Sequence, residues 1–115
     1  MDTRQRIIQE LVPGKQITLA HIIANPDGVL IDTLGIPWGD GFSAIGIMTV
    51  TPPETTIIIA DIAIKAAGVK PVFVDMVSGS LIVTGSVSAV ESAINAVLDY
   101  IGERLGFEIC KLTKT

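Results

Sequence analysis

The residue types that usually carry catalysis or bind metals are few in this sequence. His21 is the only histidine and Cys110 the only cysteine of the 115 residues. A histidine without a partner motif is weak evidence for acid–base catalysis, so we expect a structural role for His21. Cys110 is expected to be a small core residue, because one thiolate per chain cannot hold a metal cluster. The sequence also lacks the short ligand spacings of a metal site, so we predict no catalytic centre, metal or cofactor.

Asp61 and Lys65 lie four residues apart, in the order that favours an ion pair on a helix. Taken alone, such a pair predicts a surface contact contributing about 0.5 kcal/mol or less. A catalytic acid and base is a poor interpretation, because neither residue neighbours another titratable group in the sequence. The search for chemistry in the sequence therefore indicates that the chain is not an enzyme.

The composition points to assembly instead. Hydrophobic residues make up 49% of the chain and charged residues only 17%, whereas about a quarter is usual for an isolated domain. The length allows one core, and one small domain cannot hide so much apolar surface by itself. We therefore expect copies of the chain to cover part of one another's surface.

Several classes of partner are disfavoured by the charge pattern. The formal net charge is -4 and aromatic residues make up 4% of the chain, which predicts no nucleic-acid partner. The apolar run over residues 57–67 is interrupted by Asp61 and Lys65 and is too short to cross a bilayer, so no membrane partner is predicted. No signal peptide is evident at the start of the chain, and the lone cysteine fits a cytoplasmic location.

The elements that must position these residues follow from periodicity and capping signals. Gly35 suits the end of a first helix, and the run from Thr51 to Glu54 predicts a capped helix start, with Thr51 as the cap. Ser86 or Ser88 is expected to begin the last helix. The predicted strands cover residues 17–24, 44–50, 72–75, 81–84 and 107–112, and the predicted helices residues 26–34, 51–67 and 86–105. This order predicts an α+β fold, ferredoxin-like in layout, with helices covering one antiparallel sheet.

Four segments resemble the bacterial microcompartment shell domain. Residues 60–69 are similar to its A-D-x-x-x-K-A-A-x-V helix end, and residues 85–90 to its G-x-V-x-A-V helix start. Residues 44–49 resemble the first strand of that family, and Ser78-Gly79 its pore loop. The resemblance implies a structural, self-assembling shell protein: a cyclic homohexamer that tiles into facets around a restricted central pore. The implied partners are copies of the chain, other shell proteins and encapsulated enzymes, within a cytoplasmic compartment.

The resemblance also assigns roles to individual residues. Lys65, with Asp61, matches the position where the edges of hexamers meet, and its long stem could pack across that junction. Val77, Ser78 and Gly79 match the loop around the central pore.

The segment before residue 44 marks the circularly permuted type. Residues 12–21 resemble the small shell proteins of ethanolamine, propanediol and choline utilisation compartments, and the similarity covers residues 7–115. In that group the matching segment forms a small barrel on the hexamer axis, here Glu10, Leu11, Val12, Pro13 and Gly14. The implied organisation is an N-terminal tail and axial strand over residues 1–15, followed by a permuted shell domain over residues 16–115.

Two other functions remain compatible with the residues themselves. One is a regulatory α+β oligomer that senses a small molecule between subunits. The other is a small enzyme working at a subunit interface with His21 as its base.

Overall fold

The computed structural model describes residues 14–115 of the chain. Within them, the strands are β1 (Gln16–Ala24), β2 (Ala44–Thr51), β3 (Lys70–Asp75), β4 (Ser80–Gly85) and β5 (Thr113–Lys114). The helices are α1 (Gly28–Leu34), α2 (Thr56–Ala66) and α3 (Val87–Arg104), and a 3-10 turn (Pro53–Thr55) precedes α2. The predicted α+β class and the order of the first seven elements are confirmed.

These strands form one sheet in the order β3-β4-β2-β1-β5. The first four strands pair antiparallel, as predicted, whereas β5 runs parallel to β1 and makes the sheet mixed. The predicted last strand over residues 107–112 is wrong, because only Glu108 pairs there, with Gln16, before pairing resumes at Thr113. Phe107, Cys110 and Leu112 pack against the core, and their uneven spacing does not follow the two-residue period of a strand.

The main core lies between the sheet and the helices α2 and α3. Alternation along β2 turns Ala44, Met48 and Val50 into this core. Gly46 shares their face, and a Cβ atom there would lie 2.7 Å from Val90 Cγ1 and 3.0 Å from Ile94 Cδ1. The glycine therefore allows α3 to lie directly against β2.

The opposite sheet face is only partly covered. Ile45 of β2 and Ile31 of α1 are buried, yet neither belongs to the main core. Beyond them, residues 34–37 and three sheet residues (Val72, Phe73 and Ile82) line an open apolar groove of about 240 Å³. This second face accordingly leaves a concave apolar surface on the subunit.

Capping explains where α1 and α3 begin and end. The Asp27 carboxylate accepts a hydrogen bond from Val29 N–H at 2.8 Å at the start of α1. Gly35 ends the helix with φ +66°, which confirms the C-terminal cap predicted for this glycine. The Ser86 hydroxyl accepts from Ala89 N–H at 3.1 Å, which identifies Ser86 and not Ser88 as the cap of α3.

The predicted capping role of Thr51 is wrong. Thr51 pairs with Gln16 as the last residue of β2, so the strand continues through the position expected to start a helix. The chain then passes through Pro52 and the 3-10 turn before α2 begins at Thr56. The pairing partner that extends β2 lies 35 positions away in the chain (51 minus 16), so a local capping pattern could not reveal it.

Candidate assembly surfaces

The predicted pore loop is the turn between β3 and β4. Asp75 organises it: one carboxylate oxygen accepts from Val77 N–H at 2.9 Å and the other from the Ser78 hydroxyl at 2.7 Å. The Ser78 hydroxyl and then the Val77 amide hold the pKa of Asp75 below its ordinary value of 3.8. The sequence motifs did not single out Asp75, although an Asp at the start of a turn commonly accepts a hydrogen bond from the backbone two residues further on.

Gly79 fixes this turn against the sheet. It has φ +79°, and a Cβ atom would collide with the Val50 carbonyl oxygen. Val50 N–H donates to the Gly79 carbonyl at 2.9 Å, and Gly79 N–H donates to the Asp75 carbonyl at 2.9 Å. The result is a rigid turn whose tip, Val77, is 87% exposed.

Asp61 and Lys65 lie on the outer face of α2. Lys65 Nζ is 2.8 Å from an Asp61 carboxylate oxygen, with side chains 76% and 58% exposed. The hydrogen bond and the negative charge of Asp61 raise the pKa of Lys65 above its ordinary value of 10.5, and Tyr100 of α3 adds a smaller increase. The predicted ion pair is confirmed, and its surroundings include three half-exposed isoleucines (Ile57, Ile58 and Ile64) that the sequence pattern did not single out.

His21 holds the C-terminal segment beside β1. Its Nδ1 lies 2.6 Å from the Thr113 hydroxyl and its Nε2 lies 2.9 Å from the Thr115 hydroxyl. Thr113 in turn donates to the Ala20 carbonyl at 3.3 Å, so Nδ1 is the ring nitrogen that donates to Thr113. Both ring nitrogens are thereby engaged, which agrees with the structural role expected for His21.

The remaining predicted residues divide between the core and the start of the chain. Cys110 is a free thiol partly buried against the core, as expected. Gly14 is exposed just before β1. Glu10, Leu11, Val12 and Pro13 lie outside the described residues.

The described part of the chain offers little for catalysis or metal binding. Across residues 14–115, no three His, Cys, Asp or Glu side chains come together as a metal site. No helix within this range is both long and apolar enough for a membrane span. The groove beside residues 34–37 is lined by apolar residues and one glycine, so its lining presents no side chain that could transfer a proton.

Comparison with known proteins places these surfaces in context. Residues 44–111 match the BMC domain family. The shell protein EutS of Escherichia coli (strain K12) is 48% identical over 97% of this chain and 98% of its own length. The shell protein PduU of Salmonella typhimurium (strain LT2) is 50% identical over 98% of this chain and 96% of its own. Both are described as bacterial microcompartment shell proteins.

Solved structures agree with these matches. A flat hexamer of CutR superposes with a TM-score of 0.84 at 47% identity, over 96% of this chain and 99% of that one. A screw form of CutR superposes with a TM-score of 0.81 at 45% identity, over 90% and 100%. CutR, with the same fold, is thus found both as a flat hexamer and in a screw form.

Proposed function

This chain belongs to the BMC domain family and is a bacterial microcompartment shell protein, and from this premise we propose a purely structural role. Its copies form a cyclic hexamer that tiles into the shell, and no reaction takes place on the subunit. The observation that carries the proposal is the near full-length similarity to shell proteins, including a hexameric one. Static light scattering at micromolar concentration should give about six times the chain mass of 12.1 kDa. A stable monomer would contradict the proposal.

A regulatory role or an enzyme activity is less well supported. A small-molecule sensor needs polar groups that fix a ligand's orientation, and the lining of the groove offers no polar side chain. An enzyme using His21 as its base needs a free ring nitrogen, and both are engaged by Thr113 and Thr115. Neither alternative therefore has an observation in its favour.

Val77, Ser78 and Gly79 line the central opening of the hexamer. The support is their position at the tip of a turn that is rigid, exposed and free of charged groups beyond Asp75. A rigid turn keeps the diameter of a ring constant, since six copies repeat one geometry. The restricted opening would then be set by the Val77 side chain.

Lys65 and Asp61 lie where hexamers meet other hexamers, formed by this chain or by other shell proteins. The high exposure of both side chains supports a contact outside the subunit core. Lys65→Asp should keep the hexamer and weaken the growth of sheets seen by electron microscopy. Lys111→Asp, a charge reversal at another exposed lysine, is the matched control. Unchanged tiling in the Lys65 variant would show that Lys65 is only a surface charge.

The order of elements is a circular permutation of the family pattern, and the start of the chain plugs the hexamer axis. The family match begins at residue 44 although β1 and α1 precede it, which supports the permuted order. In this proposal, residues 10–14 of all copies pair around the axis, because so short a strand gains no stability alone.

Deleting residues 1–13 tests the axial plug. The truncated chain keeps β1, which begins at Gln16, so it should remain a soluble hexamer. Flux of a small solute across assembled shells should rise relative to the full-length protein. A truncated protein that cannot fold would show that the segment belongs to the core, and unchanged flux would show that it does not plug the axis.

A further inference from the structure

The face of the sheet opposite α2 and α3 carries an uncovered apolar surface around the groove. Of the residues that line the groove, Leu34 and Phe73 are 55% and 47% exposed, and the nearby Trp38 is 36% exposed. The groove holds about 240 Å³, whereas small-molecule pockets usually hold about 300–1,000 Å³. A groove of this size fits one or two apolar side chains of a chain segment better than a separate ligand.

The same surface is acidic. Residues 16–64 contain no lysine or arginine, but they contain five acidic residues: Asp27, Asp32, Asp40, Glu54 and Asp61. Two of these, Asp32 and Asp40, are exposed and flank residues 34–37 along the chain. Lys70 is the basic residue of the described chain nearest to the groove in sequence, so acidic groups predominate around it. An occupant with apolar side chains and positive charge is therefore favoured.

The start of the chain has this composition. Arg4 and Arg6 are followed directly by Ile7 and Ile8, and residues 4–9 contain no acidic residue. This segment lies outside the described residues. Its sequence combines two positive charges with two adjacent apolar side chains, which complements both properties of the groove.

The described chain begins beside the turn between β3 and β4. Gln16, the first residue of β1, pairs with Thr51. The N–H of the adjacent Val50 donates to the carbonyl of Gly79 in that turn at 2.9 Å. Residues 1–13 therefore connect to the part of the subunit that lies next to the proposed central opening.

The groove is within reach of that point. Phe73 is four positions before Val77, so it lies at most about 13 Å from the tip of the turn. An extended segment of six residues, such as residues 4–9, spans up to about 20 Å. The segment can thus reach the groove while residues 10–14 stay at the axis. Tethering over so short a distance gives a high effective concentration, so a weak contact is sufficient.

We propose that residues 4–9 dock in this groove within the same ring. Ile7 and Ile8 fill the groove, and the two arginines before and between them in this segment face the carboxylates that flank it. The docked segment anchors the axial strand that follows it in the chain. This inference rests on the proposed axial plug and adds the contact that holds the plug in place.

Trp38 reports on the docking, because it is the only tryptophan of the chain and follows the groove residue Pro37. Deleting residues 1–9 keeps the axial strand and should uncover Trp38. We expect its emission maximum to move to longer wavelength and acrylamide to quench it more strongly than in the full-length protein. Deleting residues 1–3 is the matched control and should change neither property. Unchanged fluorescence after deletion of residues 1–9 would overturn the docking.

A disulfide locates the contact. Cys110 is the only cysteine, so Cys110→Ser provides a background without thiols. In that background, Ile8→Cys should cross-link to Phe73→Cys on mild oxidation, since the two Cβ atoms must come within about 4.5 Å. Ile8→Cys should not cross-link to Asn95→Cys, which lies on the exposed side of α3. A cross-link within one chain or between two chains of a ring supports the docking, and equal yields at the two positions would overturn it.

Charge reversal tests the role of the arginines. The variants R4E/R6E and D32K/D40K should each lower the initial rate of that cross-link about fivefold, as expected for exposed charge pairs. Combining all four substitutions restores opposite charges and should restore the rate. Asp99→Lys, a reversal on the exposed side of α3, is the control. A combined variant as slow as the two others would overturn the pairing of charges.

Light scattering on the same samples separates this inference from the proposed function. A full-length hexamer whose Trp38 fluorescence and cross-links ignore these changes would overturn the docking alone. A full-length monomer would overturn the proposed function. In such a monomer, a cross-link within the chain would still support the docking, and its absence would overturn that as well.

Discussion

Helices α2 and α3 pack side by side on one face of the sheet, but their outer faces differ. The longer helix, α3, buries Val90, Ile94, Val97 and Ile101 and exposes Ser92, Asn95, Asp99 and Glu103. The shorter helix, α2, buries Ile59 and Ala63 and exposes isoleucines around its ion pair. The outer face of α3 is mainly polar apart from the half-exposed Tyr100, whereas the outer face of α2 leaves three isoleucines about half exposed. Within one layer, then, two helices that pack on the same sheet differ in how much apolar surface the folded subunit leaves uncovered.

The inner face of α3 should give the largest effect on folding. Ile94 is fully buried, and its Cδ1 lies at the gap left by Gly46. Ile94→Ala removes three carbon atoms from this packed site and should lower the free energy of unfolding by about 2–5 kcal/mol. Urea unfolding at one fixed protein concentration measures this loss, because oligomer formation contributes to stability. A loss below about 1 kcal/mol would mean that α3 is not held to the sheet as described.

The caps of the two helices provide a second, smaller contrast. Ser86 caps α3 through a hydrogen bond to Ala89 N–H, whereas α2 has no side-chain cap of this kind. Ser86→Ala should cost about 1 kcal/mol in urea unfolding. Ser92→Ala, on the exposed side of the same helix, should cost much less. Equal losses in the two variants would contradict the capping role of Ser86.

The outer face of α2 should give a still smaller effect on folding. Ile58→Ser removes a half-exposed side chain, so the free energy of unfolding of the hexamer should change by about 0.5 kcal/mol or less. Solubility at high concentration should rise, because the apolar face is interrupted. A loss of stability as large as that of Ile94→Ala would show that α2 is buried within the subunit or the ring.

The smallest expected effect is the pH dependence of the ion pair. Asp61 raises the pKa of Lys65 above 10.5, so the pair stabilises the folded state below pH 10.5 and that contribution is lost as the pH rises through the folded value. The melting temperature of the wild type should therefore exceed that of Lys65→Gln slightly at pH 9, and the gap should shrink above pH 10.5. The difference in melting temperature between Lys65→Arg and Lys65→Gln should persist above pH 10.5, since arginine stays charged. If the difference between the wild type and Lys65→Gln instead widens with pH, the pKa of Lys65 is not raised by Asp61.

Much of the fold follows from local patterns. The alternation along residues 44–50, the glycine at position 35 and the Ser at position 86 predicted β2, the end of α1 and the start of α3. These signals work because helix and strand periods, and the unsatisfied groups at helix ends, are properties of short segments. The motifs around Lys65 and Ser78 likewise identified the family, since they lie within a single helix and a single turn.

The parts that were mispredicted depend on distant partners. Thr51 continues a strand because Gln16 pairs with it, and residues 109–112 leave the ladder because Cys110 and Leu112 pack into the core. Asp75 is a different case, because its partners Val77 and Ser78 are close in the chain and the turn signal that marks it is local.

The sequence alone determined the elements, the family and the excess of apolar residues over charged ones. Only the tertiary structure decided which of those apolar residues remain uncovered. In α2, isoleucine or alanine occurs on every side, so periodicity cannot distinguish the face that meets the sheet from the face that meets solvent. That choice is made when the sheet and α3 cover Ile59 and Ala63, leaving Ile57, Ile58 and Ile64 outside, because packing and not composition determines which side of an apolar helix is buried.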